Sequence, residues 1–237
     1  MSMGRRQAFV RLAMALLVAV AGSPGAPAMA DDPAERTLRY SVEYQGRNLG
    51  KIEISISRDG EDGEDCLVRS VSRPNPLAAM FLESHTIESR YRMRSGEAVL
   101  LSGRELLTKT GEVRRSFEVD HAAGRILFSA GEPAGFDTAT RLVADPFPLG
   151  LLGAESAEGG RFLSVNPKRA RLFEAKGVVE EVVTVPAGTF ATLRHDNAAP
   201  GNPERILRLW LRQGEDPVPV RIVSGRKGKR TVMELLP

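Results

Sequence analysis

Residues 38–57 read LRYSVEYQGRNLGKIEISIS, and two runs within them alternate apolar and polar side chains. Leu38, Tyr40, Val42 and Tyr44 occupy every second position of the first run, and isoleucines do so at 52, 54 and 56 of the second. A period of two with one polar face is typical of a half-buried strand. Because the intervening GRNLG stretch is rich in turn-forming residues, the pair is predicted to be a β-hairpin.

Similar segments continue through the chain, and no Pro/Gly/Ser-rich linker divides it. The pattern predicts a mainly β protein with a single antiparallel curved sheet or an incomplete barrel of ten to twelve strands. The predicted strand segments are Cys66 to Val71, Thr86 to Arg94, Ala98 to Thr108, Glu112 to Val119, Arg125 to Ser129, Arg161 to Val165, Arg171 to Thr184, Thr189 to His195, Arg205 to Arg212, Val218 to Ser224 and Thr231 to Leu236.

Two apolar segments interrupt this rhythm. Asn75 to Glu83 has a capping residue, a proline suited to the first helical turn and a run of apolar side chains, which favours a short helix. Asp145 to Gly153 holds two prolines and two glycines, so any helix there is short. One or two short helices are therefore expected over the concave face. They either cover one end of the core or line a cavity in the curved sheet.

The first thirty residues have the three parts of a secretory signal peptide. Met1 to Arg11 is basic, Leu12 to Ala21 is apolar, and Ala28 and Ala30 form an A-x-A cleavage site. The ten apolar residues are too few to span a bilayer, which needs about 20. Residues 1–30 are thus predicted to be cleaved, leaving residues 31–237 as one β-rich, soluble periplasmic domain that begins at Asp31. An uncleaved anchor is the alternative, and the Arg5-Arg6 pair leaves the export route open.

Composition and charge exclude several classes of protein. The chain is 42% hydrophobic and 27% charged, which is unlike a disordered or multi-pass membrane protein. Its 33 basic and 30 acidic residues include three arginines in residues 1–30 and no acid there, so the rest is formally neutral. A general attraction to nucleic acid is therefore not predicted. The single cysteine, Cys66, cannot form an internal disulfide and is expected to be a small strand residue.

Motifs for chemistry are sparse. The histidines at 85, 121 and 195 lie in no paired metal-binding motif, and the sequence has neither a nucleophile elbow nor a P-loop. Neither a metal nor a cofactor is predicted, and the protein is not predicted to be an enzyme. A catalytic triad could still assemble across the fold, because triads are recognised by geometry.

Two basic features allow two interpretations each. The arginines at 90, 92 and 94 are expected to pair with carboxylates such as Glu105, Glu112 or Glu118, or else to form an anion-binding stripe. The tip Arg226 to Arg230 (RKGKR) is either a solvated hairpin turn or a contact for anionic lipid headgroups.

Four stretches together carry a resemblance to a known family. They are the opening hairpin, the Asp-Pro segment Asp145 to Leu152, the turn Val185 to Phe190 (VPAGTF) and the Trp strand with its Pro-Val-Arg continuation, Trp210 to Ile222. In this order they resemble the bacterial envelope family known as domain of unknown function 3108. That family is thought to be similar in shape to lipoprotein carriers, which are incomplete antiparallel barrels with short helices over an apolar concave face.

The resemblance and the apolar segments together favour a periplasmic binding or carrier module for an apolar ligand, such as a lipid, an acyl chain or a lipoprotein. A protein-interaction or scaffold subunit of envelope assembly is the alternative, and a hydrolase comes third. The residues expected to bind the ligand are Leu77, Met80, Phe81, Phe147, Leu149, Leu151, Leu152 and Trp210.

The signal peptide gives a direct prediction. When the full chain is expressed in a Gram-negative host, the intact mass of the periplasmic protein is expected to correspond to a chain that begins at Asp31, because signal peptidase cleaves after A-x-A. A mass that retains residues 1–30 would contradict cleavage and favour the anchor.

Overall fold

Fifteen β-strands account for most of the residues described by the computed structural model, which are 35–59, 64–94, 97–144, 160–214 and 217–237. The chain divides into Met1–Asp32 and Pro33–Pro237, and all described residues fall in the second unit. The strands are β1 (Glu35–Tyr44), β2 (Arg47–Asp59), β3 (Asp65–Pro74), β4 (His85–Arg94), β5 (Glu97–Leu107), β6 (Val113–Asp120), β7 (Arg125–Phe128), β8 (Ala134–Gly135), β9 (Arg141–Ala144), β10 (Arg161–Asn166), β11 (Arg169–Val185), β12 (Gly188–Ala199), β13 (Asn202–Arg212), β14 (Pro219–Arg226) and β15 (Lys229–Leu235).

These strands form one open, curved sheet. Each strand pairs with its neighbours in sequence, except that β1 also pairs with β15, and β8 and β9 are the two edges. All pairs are antiparallel apart from β9 and β10. Two meanders are thus joined side by side through the first and last strands, where Tyr40 lies opposite Leu235. The predicted mainly β fold, with an antiparallel curved sheet that is not closed, is confirmed.

The curvature follows from a short connection between the two edges. Only residues 136–140 link β8 to β9, and so few residues span at most about 20 Å. Fifteen strands laid flat would separate the edges by roughly 67 Å at the usual spacing between strands of about 4.8 Å. The sheet must therefore curl until its edges approach each other. Consistently, the buried hydroxyl of Tyr91 on β4 accepts a hydrogen bond from the Ala144 N–H on β9, at 2.9 Å.

The predicted strand number and helices are wrong. The sheet has fifteen strands because β8 and β9, of two and four residues, are too short to show alternation in the sequence. Where a helix was expected over Asn75 to Glu83, the structure has one 3₁₀ turn at Ala78–Met80. A helix this short is unstable without a packed face, and this segment lacks one. The described residues contain no α-helix, and Asp145 to Gly153 lies outside them.

The concave face holds the main core. Buried side chains from both halves of the sheet meet there, and they include Tyr40, Ile54, Tyr91, Leu100, Phe117, Ile126, Val165, Leu207, Ile222 and Met233. The Tyr40 hydroxyl donates a hydrogen bond to the Pro219 carbonyl oxygen at 2.8 Å. Burial raises the pKa of both core tyrosines, so their hydroxyls stay protonated and available as hydrogen-bonding groups.

A smaller cluster lies on the convex face, where the long β11–β12 hairpin folds over the sheet. Val183 and Val185 pack there with Trp210, Val220 and Val223. The hairpin tip is held by a 3.0 Å hydrogen bond from the Ala187 N–H to the Leu235 carbonyl oxygen. Successive strand residues point to opposite faces, so Leu209 and Leu211 serve the concave core while Trp210 serves the convex one.

The contact between β4 and β9 gives a stability prediction. Tyr91→Phe is expected to lower the free energy of unfolding by about 1–3 kcal/mol, because it removes the acceptor of a buried N–H. Urea unfolding followed by circular dichroism measures the change. Tyr44→Phe is the matched control, because Tyr44 is 38% exposed, and it is expected to stay within about 0.5 kcal/mol of the wild type. Equal stabilities for both variants would contradict a role for this bond in holding the curved sheet.

Candidate functional site

A groove of about 680 Å³ opens at one rim of the concave face. Its floor comes from Val42 on β1, Ile52 on β2 and Ile87 on β4. One wall is the connection between β3 and β4, and the other is the turn between β10 and β11 at residues 166–168. We call this the rim groove. Its volume is within the usual range for small-molecule sites, about 300–1,000 Å³.

The floor of the rim groove is apolar and incompletely covered. Val42 and Ile52 pack against the concave core on one side, yet both are only half-buried. Ile87 is likewise half-buried. Their remaining surface faces the groove. Covering it would be favourable by about 25 cal/mol for each Å² removed from water.

Four large apolar side chains stand exposed beside this groove. Leu77, Met80 and Phe81 are 73%, 73% and 82% exposed, and Leu82 is 45% exposed. Phe81 and Leu82 also line the groove. We call residues 77–82 the apolar segment. A contiguous set of exposed apolar side chains is unusual on a soluble surface and marks a site of interaction.

The base of the apolar segment is firmly held. The Asn75 N–H donates to the Leu49 carbonyl oxygen at 2.9 Å, and the Asn75 side-chain amide donates to the Asn48 carbonyl oxygen at 2.7 Å. Asn75 Oδ1 accepts the Ala78 N–H at 2.8 Å, so the predicted cap is present although only one helical turn follows. The apolar side chains are therefore presented by an anchored turn.

Charged groups frame the groove. Arg114 on β6 contacts Glu83 at 3.0 Å, and Lys168 reaches Glu105 on β5 at 3.9 Å. The second pair connects the two halves of the curved sheet across the groove, since Glu105 lies on β5 and Lys168 in the β10–β11 turn. Asn166 Oδ1 accepts the N–H groups of Lys168 and Arg169 at 2.9 and 3.1 Å, which fixes the turn between β10 and β11.

Ser72 and His85 also line the groove, with Ser72 Oγ 3.0 Å from His85 Nδ1. The same Oγ accepts the His85 N–H and donates to the His85 carbonyl oxygen, both at 3.0 Å. These contacts fix the two side chains relative to each other, and which atom donates between Ser72 Oγ and His85 Nδ1 depends on the imidazole tautomer. Within the described ranges, the other partner of the ring is the Glu83 carbonyl oxygen and not a carboxylate. This pair is suited to fastening β3 to β4.

The sequence-predicted ligand residues fall into three groups. Leu77, Met80 and Phe81 lie together on the apolar segment, and Phe81 reaches the groove. Trp210 lies on the opposite face of the sheet. The remaining four, Phe147, Leu149, Leu151 and Leu152, are outside the described residues, as are Ala28, Ala30 and Asp31 of the predicted cleavage site.

Trp210 belongs to a structural network on the convex face. It is 7% exposed, and its Nε1 donates a hydrogen bond to Glu181 Oε1. The guanidinium carbons of Arg194 and Arg221 lie 6.0 and 5.7 Å from the ring centroid. Arg221 also donates to the Thr184 carbonyl oxygen at 2.9 Å. The indole thus ties the β11–β12 hairpin to the sheet beneath it.

Among the described residues, no ion pair joins the β4 arginines to Glu105, Glu112 or Glu118, although Arg92 does pair with a carboxylate on a neighbouring strand. Arg92 pairs with Asp65 at 3.2 Å, because β3 and β4 place these two residues opposite each other. Glu105 instead lies near Arg115 and Lys168, both at 3.9 Å. Which strands are neighbours decides these partners, and alternation alone does not contain that information.

Sequence reasoning missed the floor of the groove and a second cleft. The alternation correctly put Val42 and Ile52 on an apolar face, but it gave no sign that this face is uncovered at its end. The second cleft, of about 580 Å³, is lined by basic residues from four strands and one turn. Of its basic residues, the sequence analysis singled out only those of the tip Arg226 to Arg230.

Within the residues described, no group of three or more His, Cys, Asp or Glu side chains could hold a metal ion. The same part of the chain contains no helix long and apolar enough to cross a membrane. Comparisons with family models, curated proteins and solved structures found no match. The resemblance to the envelope family therefore stays a prediction.

The positions of Trp210 and Phe81 give a fluorescence prediction. Trp210 is the only tryptophan, so native emission is expected to resist acrylamide quenching and to become accessible on unfolding in urea. In the Trp210→Phe/Phe81→Trp variant, the new indole at an 82% exposed position is expected to be quenched several-fold more strongly. Equal quenching of the two native proteins would contradict this arrangement.

Proposed function

We propose that this protein is a periplasmic, non-enzymatic binding or carrier module whose ligand is the acyl chain of a lipid or lipoprotein. The observation that carries the proposal is the apolar segment, whose large side chains stand exposed on an anchored turn beside an apolar groove. The predicted signal peptide and the family resemblance agree with this function.

The groove geometry favours an acyl chain as occupant. The rim groove lies between the β3–β4 connection and the β10–β11 turn, and its floor is aliphatic. An acyl chain needs apolar contact and few directional bonds, which such a floor supplies. Phe81 and Leu82 at the wall would contribute further apolar burial as they close on the chain.

In this proposal the ligand lies at the rim, and the filled core supports that position. Tyr40, Ile54, Leu100 and Phe117 are each 0–1% exposed, so the centre of the concave face is already packed by the protein's own side chains. A bound chain would thus lie along the rim groove, partly covered by the apolar segment, where a partner membrane or acceptor protein could reach it.

A role as a protein-interaction subunit is the second candidate. Val178, Val179 and Val182 on the β11–β12 hairpin are 38%, 42% and 71% exposed, on an element that does not line the rim groove. Strand addition at the sheet edges is less favoured, because β8 and β9 are only two and four residues long.

Binding of a fluorescent fatty acid, 12-(9-anthroyloxy)stearate, to the delipidated mature protein tests the proposed function. Phe81→Asp is expected to weaken binding about tenfold or more, because it removes apolar burial of about 1.5–3 kcal/mol. Val182→Asp is the matched control, since it places the same charge at a 71% exposed site away from the groove, and its affinity is expected to be unchanged.

Three outcomes would count against the acyl-chain proposal. The wild type could fail to bind the probe, the two variants could lose affinity equally, or native mass spectrometry of the periplasmic protein could show no bound lipid before and after incubation with one. Cross-linking in cells that depended on Val182 and not on Phe81 would favour the second candidate.

A further inference from the structure

The described residues that line a second cleft on the concave face include six cations and no carboxylate. The cleft has a volume of about 580 Å³, and its floor includes Phe173, Ile206 and Leu207. The basic residues in its lining are Arg169, Arg171, Arg205, Arg226, Lys227 and Lys229. We call it the cationic cleft.

The fold brings these cations together from distant parts of the chain. Alternation along β11 puts Arg169 and Arg171 on the same face as Phe173, a residue of the concave core. The start of β13 contributes Arg205, and the pairing of β14 with β15 sets Arg226 opposite Lys229. Strand ends that are separated by up to sixty residues thus converge at one rim of the sheet.

Within the described ranges, the six cations lack the carboxylate partners found elsewhere on this sheet. Among the described residues, none of the ion pairs involves any of the six. By contrast, Arg104 is 2.7 Å from Glu88 and Arg161 is 2.8 Å from Glu174 on adjacent strands. The sheet therefore neutralises its exposed arginines in many places, but not in this cleft.

Two of the arginines are held in an unfavourable environment. Arg171 is half-buried, and its Nε is buried without a hydrogen-bond partner among the described residues. An unsatisfied buried donor costs about 1–3 kcal/mol, and a charged one costs more. Burial, followed by the nearby Arg226 and Arg169 charges, lowers the pKa of Arg205. Folding alone gives no reason for this arrangement, whereas a bound anion would relieve both effects.

The cationic cleft adjoins the rim groove. Val42 lines the groove and Tyr44, two residues further along β1, lines the cleft. These two positions share a face and lie about 7 Å apart along the strand. At the β10–β11 turn, Lys168 lines the groove and Arg169 lines the cleft. The apolar groove and the cationic cleft thus meet at the same rim.

From this juxtaposition, we infer that the ligand is an amphiphile with a phosphate group, whose chain lies in the rim groove and whose phosphate lies in the cationic cleft. This inference rests on the function proposed above, because it names the class of lipid. Arginine guanidinium groups suit phosphate oxygens through paired hydrogen bonds. The low-dielectric floor strengthens that attraction relative to an open surface.

Three probes separate the contributions of chain and phosphate. Lysophosphatidic acid with an oleoyl chain carries both, monooleoylglycerol carries the same chain and glycerol without the phosphate, and glycerol 3-phosphate carries the headgroup alone. Isothermal titration calorimetry below the critical micelle concentration is expected to show lysophosphatidic acid binding at least tenfold more tightly than monooleoylglycerol. Raising the salt concentration should narrow that difference, because salt screens charges.

The variant Arg171→Gln/Arg205→Gln is expected to bind both lipids with similar affinity. Its melting temperature should equal or exceed that of the wild type, because the change removes repulsion between like charges. The control Arg90→Gln/Lys109→Gln removes two exposed charges outside both clefts and should keep the preference for phosphate. A control variant that lost the preference equally would contradict a specific site.

The outcomes distinguish this inference from the proposed function. Equal binding of the two lipids by the wild type would overturn the phosphate site and leave the acyl-chain function standing. If glycerol 3-phosphate binds and neither lipid does, both the inferred amphiphilic ligand and the acyl-chain function are overturned. The cleft would then be assigned to free phosphate esters. Failure of all three probes would overturn both.

Discussion

The five residues between β8 and β9 constrain the whole sheet. These strands are its opposite edges, and so short a connection cannot cross a flat sheet of fifteen strands. Curling brings β9 over β4 and β5, so that the concave face becomes an interior. A buried hydrogen bond between Tyr91 and Ala144 holds β9 in this position. Both clefts lie at the rim of this concave face, where residues from several strand ends come together.

The distribution of apolar surface follows from the same geometry. Tyr40, Leu100 and Phe117 fill the middle of the concave face, so little room is left for a ligand there. Phe81 and its neighbours on the apolar segment could join that core only if the β3–β4 connection folded inward. Asn75 fixes that connection to Asn48 and Leu49 at the rim, which leaves the apolar side chains in solvent. Their exposure is thus built into the anchoring of the turn.

The two faces of the second half of the sheet have separate tasks. On the convex face, Trp210, Glu181 and the flanking arginines fasten the β11–β12 hairpin to the sheet. On the concave face, the ends of β11, β13, β14 and β15 contribute the basic residues of the cationic cleft. Adjacent residues on one strand point to opposite faces, so the same strands supply side chains to the convex network and to the concave cleft. The proposed binding function uses only the concave rim.

The sequence by itself determined the local structure where alternation or a turn signal is strong. The opening hairpin was predictable because its alternation is local, and the β14–β15 hairpin was predictable because a charged, glycine-containing tip separates its two strands. In the structure, Lys227 and Gly228 adopt the left-handed conformation that a two-residue turn needs. Asn75 was recognisable as a cap. Only the tertiary structure decided that β1 pairs with β15, that Trp210 faces away from the groove and that Arg171 and Arg205 share a cleft with Arg226. Alternation specifies which residues share a face of one strand, but the choice of neighbouring strands depends on contacts between residues far apart in the chain.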